Sequence, residues 1–271
     1  MLRATIARVA LLSFLLGFTK YSTAEDKSKP APIGSKADRT LLAVTTAEWG
    51  NLTGRFVYDP DAPKPECGDV KRSLGIIGGY QVVVVKDESL VVSDNGGVAN
   101  VLIYVISQSI PTHPSYQATN SDKVLLDVQP WRFVPHVTTC RLSQAVILRN
   151  STVHSQNFRI EPPGDMLINP LAPPECSIEH KFTVPQSTPV PVHNDIVPWM
   201  RAYLLPLDHP YVAVSQADGS FSIPNLPVGN WEFQVWHETP GLFNSQPWPK
   251  GRFTTTIKPG ENNLGTIAVG K

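Results

Sequence analysis

After about residue 43 the apolar residues fall almost everywhere into short runs with a period of two, and this pattern constrains the fold most. "LTGRFVY", "YQVVVV", "VANVLIYV", "KVLLDV", "QAVILRN", "KFTV", "RAYLLPL", "YVAVS", "SFSI", "WEFQVW" and "FTTTI" are rich in Val, Ile, Phe, Tyr and Thr. Alternate residues of a strand share one face, so such runs can cover a core on one side and meet water on the other. Turn formers stand between them: "SDNGG", "EPPGD", "QADGS", "LPVGN" and "KPGEN". The 26 prolines would break helices repeatedly, and no segment beyond the N-terminal apolar stretch shows a 3.6 period. Many short strands with regular turns specify an all-β, antiparallel sandwich architecture.

Loop lengths divide the chain at about Leu207. Before it lie long irregular stretches, 113–122 and 161–178. After it the turns are tight: "ADGS" joins "YVAVS" to "SFSI" as a plain hairpin at Asp218-Gly219, and "PVGN" leads into "WEFQVW". We read a larger β-sandwich over 44–206 and a small β-module over 207–271, with no internal repeat. Upstream, "MLRATIAR", "VALLSFLLGF" and "TKYSTA" supply the charged, apolar and small-residue parts of a signal peptide over 1–24, cleaved after Ala24. A polar, Pro/Lys-rich leader follows over 25–43. The apolar run is too short to span a bilayer, so the mature protein is expected to be exported, periplasmic or extracellular, without a membrane span.

That compartment permits disulfides. The three cysteines, Cys67, Cys140 and Cys176, allow one intrachain bond of undetermined pairing and leave an odd thiol. Sequons begin at Asn51 and Asn150. With 23 basic and 23 acidic side chains the chain carries no net charge and no basic run, which argues against nucleic acid as a partner.

No phosphate loop, nucleophile elbow, HExxH or paired CxxC is present, so nothing argues for an enzyme. "WHE" at Trp236 to Glu238 reads as a polar pair ending a strand rather than a general base. Trp131, Phe133 and His136 in "QPWRFVPHV" could line a groove, but strand aromatics more often pack a core. Gly96 and Gly97 are expected at a turn or bulge needing positive φ.

The pattern with chemical content is longer. "VILRNSTVHSQNF" gives a strand, then Asn150, then His154; forty residues later comes "VPVHNDIVPWMRAY". The layout resembles the cupredoxins, in which one His follows an Asn-rich turn and a Cys-x-x-His-x-x-Met loop completes the copper site. "VPVHNDIVPWMRAYLLPLDHPYVAVSQADGSFSIPNLPVGN" is similar in particular to exported cupredoxin-like proteins labelled methylamine-utilisation proteins, which add a carboxypeptidase-regulatory-like module. The resemblance runs from about Trp49 to Val269. It implies a cupredoxin-like Greek-key β-sandwich followed by a small β-sandwich-like module.

The resemblance puts the first His ligand on His154 and the axial Met on Met200. The Cys position falls on Asn194 and the second His position on Val197. A type 1 site needs thiolate and two imidazoles in a plane with a weak axial thioether, so two of four ligands are replaced by groups that suit copper poorly. The resemblance therefore implies a non-enzymatic binding or scaffold protein with a degenerate copper site and an unnamed protein or redox partner. One alternative is an altered, non-blue copper site recruiting His193 or Cys176. His193 should point away from Asn194 in an extended loop. Another alternative is a carbohydrate- or surface-binding β-module using Trp131 and Trp248.

Overall fold

The computed structural model describes residues 48–62, 68–76, 79–107, 109–240, 242–243 and 248–270. The signal peptide, the leader and Cys67 lie outside them. Four strands come first: β1 (Trp49–Tyr58), β2 (Asp69–Ile76), β3 (Gly79–Lys86) and β4 (Leu102–Val105). Then follow β5 (Lys123–Gln129), β6 (Arg132–Val134), β7 (Val137–Arg141) and β8 (Ala145–Asn150). Short pieces make up β9 (Gln156–Asn157), β10 (Arg159–Ile160), β11 (Leu171–Ala172), β12 (Ser177–His180) and β13 (Val190–His193). The last six are β14 (Arg201–Leu207), β15 (Val212–Val214), β16 (Ser220–Pro227), β17 (Gly229–Trp236), β18 (Arg252–Ile257) and β19 (Gly260–Val269). The only helices among the described residues are two single 3-10 turns, so the all-β expectation holds.

Two sandwiches result. In one, sheet β10-β13-β14-β7 faces sheet β12-β8-β5-β6 across a core that includes Leu126, Phe133, Leu148, Phe158, Val192 and Leu204. In the other, β16-β1-β19 faces β15-β4-β17-β18 across Leu52, Phe56, Ile103, Ile223 and Phe233. A strand in a simple sandwich buries every second residue, but β4 ("LIYV") is buried at all four positions and β14 ("RAYLLPL") at all but its first. The reason is a third core, in which Leu102 and Tyr104 of β4 meet Tyr203, Leu205 and Leu207 of β14. Each such side chain contributes about 1.5–3 kcal/mol of burial, so the two sandwiches share an apolar layer.

Strands from both sides of Leu207 share sheets. β1 pairs with β16 and, in parallel, with β19; β4 pairs with β15 and β17. The boundary expected between 206 and 207 therefore runs through two sheets. The turn at Asp218-Gly219 is tight, with Gly219 N–H donating to Gln216 O and Gln216 N–H to Ser220 O. Yet β15 and β16 enter different sheets, so this is a corner between layers rather than the plain hairpin the sequence implied. "PVGN" likewise carries the chain from one layer to the other. Gly96 has φ 77, as expected, while a Cβ on Gly97 would lie 2.1 Å from the Asp218 backbone.

Two runs behaved differently from their pattern. "KFTV" is no strand: the Asp165 carboxylate accepts the Thr183 and Val184 N–H groups that a sheet would have used. The polar stretch "GENNLGTIAV" is a strand, β19, because it lies along the edge beside β1. Cys140 and Cys176 are free thiols, so the expected disulfide is not formed by that pair. Burial pushes the Cys140 thiol up to about 12.

Candidate functional site

The segment between β13 and β14 carries the residues the sequence singled out. Val190 and Val192 point into the core, so alternation turns His193 outward, as expected. It stands in register with Arg159 on one neighbour and Arg201 on the other. Burial first, and then those two guanidinium groups, lower its pKa, and the same charges repel a cation.

Asn194 turns inward and is 1% exposed. Its Oδ1 accepts the N–H groups of Ile196 (2.9 Å) and Val197 (2.8 Å), and its Nδ2 donates to Gln156 Oε1 (2.8 Å). Val197 and Met200 lie in the core of this sandwich, and Met200 N–H donates to Val197 O at 2.9 Å, closing the turn. Met200 thus packs the loop end as an apolar residue.

His154 does not join them. Its side chain is exposed, while its backbone carbonyl accepts from Asn150 Nδ2 at 2.8 Å. Asn150 is fully buried and donates also to Ala172 O and Pro173 O, which removes its sequon from a folded-state acceptor role. Asn150 N–H donates to Cys176 O, so the Cys176 segment approaches this end as the sequence implied, but Cys176 itself is exposed. Asn157 adds bonds to Asn169 and Asp195. Carboxamides stitch this end of the sandwich together.

These residues do not fit type 1 copper. Where the resemblance puts the thiolate, an amide oxygen already accepts two N–H groups; where it puts the second imidazole stands a core valine; and His154 faces solvent. Among the described residues no group of three His, Cys, Asp or Glu side chains is placed to hold a metal ion.

A second constellation lies where the sandwiches meet the β2–β3 hairpin. His136 Nε2 is hydrogen-bonded to Glu238 Oε1, and Glu238 Oε2 accepts from Tyr203 Oη at 3.1 Å. Arg132 Nη1 donates to Glu88 Oε1 at 3.0 Å, and Glu88 Oε2 is 3.9 Å from His136 Nδ1. His136, Glu238, Arg132 and Glu88 line a cleft of about 330 Å³ with Trp131, Trp199 and Met200. The two indole rings are 6.1 Å apart and inclined by 35°. Burial, and then Glu238, raise the Tyr203 pKa.

No family model matches the sequence, and no curated protein does. Among solved structures the chain is similar to an oxidised amicyanin variant at 13% identity, over 38% of this chain and 97% of that one, with a TM-score of 0.28. A purple cupredoxin from Nitrosopumilus maritimus matches at 13% identity over 31% of this chain and 97% of that one, with a TM-score of 0.26. A copper-containing nitrite reductase from Thermus scotoductus SA-01 matches at 16% identity over 31% of this chain, with a TM-score of 0.28. The chain spans 22% of that reductase's length. These likenesses are weak and partial, and the fold stands on its strand pairings.

Sequence reasoning set the cleft aside. Phe133 is core, as expected, but Trp131 and His136 line the cleft, and Glu238 of "WHE" closes on an imidazole 102 residues away. No local pattern marks that contact, because the shared apolar layer creates it. Trp248 stacks on Phe253 at 4.1 Å and belongs to the other sandwich.

Proposed function

We propose that this chain is an exported, non-enzymatic cupredoxin-like protein in which the copper positions have become structural, leaving a binding or scaffold role. The observation that carries the reading is Asn194: at the thiolate position of the resemblance, its amide caps the loop from inside. The closing module resembles the carboxypeptidase-regulatory-like one of the methylamine-utilisation group, and residues 1–24 support export. Titration with Cu(II), followed by visible absorption and thermal unfolding, tests it. No thiolate charge-transfer band and an unchanged Tm are expected. Stoichiometric copper that raises Tm and is lost in His154→Ala overturns the reading in favour of an altered copper site.

A further inference from the structure

The cleft between the sandwiches holds polar groups that the fold brings together and leaves unsatisfied. The His136 side chain is 8% exposed, and its Nδ1 has no hydrogen-bond partner. Trp199 Nε1 is also buried and unpaired. Buried polar atoms without partners cost free energy unless something supplies the missing bond. The lining also mixes signs, with Arg72, Lys86, Arg132 and Arg201 against Asp87, Glu88 and Glu238.

A further observation concerns Trp131. The β5–β6 turn is two residues long, Pro130 and Trp131, since Gln129 pairs with Arg132. Trp131 has φ 69, the position at which a type II turn after Pro calls for Gly. A bulky side chain held there is strained. The result is an indole held at the cleft beside Trp199.

We propose that this cleft binds a neutral, hydroxyl-rich ligand, a pyranose saccharide. The inference rests on reading the chain as a binding protein. An anionic ligand suits the four cations but offers only acceptors, which leaves His136 Nδ1 and Glu88 Oε2 without a donor. An ammonium ligand offers only donors, would leave the indole N–H unpaired and would face four cations. A hydroxyl both donates and accepts. Two neighbouring hydroxyls can donate, one to His136 Nδ1, the acceptor left when Nε2–H is given to Glu238, and one to Glu88 Oε2, 3.9 Å away, while a third accepts from Trp199 Nε1. The apolar face of a sugar ring suits the inclined pair of indoles. A volume of about 330 Å³ falls at the small end of ligand pockets, which run from roughly 300 to 1,000 Å³.

The test is titration of the purified full chain with cellobiose, mannobiose, chitobiose and lactose, read by indole fluorescence and calorimetry. At least one sugar should saturate at millimolar concentration or below. Trp131→Gly, which suits the φ of that turn, and Glu88→Gln should each weaken it at least tenfold while the protein still unfolds cooperatively. Absence of saturation by all four sugars up to roughly 20 mM overturns the proposal. So does binding that survives both substitutions, or saturation by tri-aspartate or spermidine where the sugars fail. The copper titration decides the loop-end reading separately, so failure here with copper still refused removes the saccharide alone.

Discussion

Asn194 uses both lone pairs of its carbonyl oxygen within its own loop, on Ile196 and Val197, and its N–H on Gln156. Asn194→Ala would strip the partners from the buried Val197 N–H and Gln156 Oε1, and would leave Ile196 N–H only its longer bond to Asn157 Oδ1 at 3.4 Å. Each such orphan costs about 1–3 kcal/mol, so we expect a loss of about 2–3 kcal/mol in urea denaturation. Asn194→Asp keeps the acceptor but buries a carboxylate and turns its second oxygen on Gln156 Oε1, so it should lose at least as much. A neutral Asn194→Ala would show that the cap is not what holds the loop. Part of this was legible in the sequence: alternation from Val192 puts position 193 outside and 194 inside. The amide's role was not, because Gln156 lies 38 residues away.

Strand β4 shows what a pattern can and cannot say at the scale of elements. "VANVLIYV" reads as a buried strand, but nothing in it tells that opposite faces serve different cores. Two histidines clamp this strand region from outside the run. His209 Nε2 donates to Val105 O at 3.0 Å, and its Nδ1 accepts Tyr211 N–H. His237 makes the same arrangement with the Ala99 backbone and Thr239 N–H. In each ring Nδ1 faces a donor, so the neutral form fits and the cation does not. Burial leads in lowering both pKa values, that of His237 to about 4. The unfolded chain therefore binds protons that the fold refuses. Stability should be full above about pH 6.5 and fall as pH drops toward 4, where the His237 contribution levels off. For His237 the loss is on the order of 3 kcal/mol. Asp87, Asp165 and Asp218 have lowered pKa values and act below that window. Urea midpoints at pH 7, 5.5 and 4 should show the decline; His180 and His193, whose pKa values burial also lowers, add to it, and His209→Gln with His237→Gln should remove the larger share. An equally steep profile in that double variant would assign the acid sensitivity elsewhere.

At the scale of the whole molecule, the tight turns after Leu207 imitate an independent module, while the pairing of β1 and β4 contradicts independence. Among the described strands β1 has β16 and β19 as its neighbours, and β4 has β15 and β17. All four neighbours follow Leu207. The sequence could not reveal this, because β1 is separated from β16 by more than 160 residues and the polar β19 carries no strand signature of its own. A chain ending at 206 would leave β4 without strand partners and β1 with only its bonds to Gly96 and Val98, and would expose half of the core around Phe56 and Ile103. A chain of 207–271 would keep both outer strands of the β16-β1-β19 sheet and lack the one between them. Neither piece should show cooperative urea unfolding by circular dichroism, and mixing them should restore β signal and a single transition. The full chain should lose both sandwiches together, since Tyr104 and Leu205 bury against one another across the layer they share. A 207–271 fragment that unfolds cooperatively on its own would refute this, and would mean that the layer around Leu205 joins two separately stable bodies.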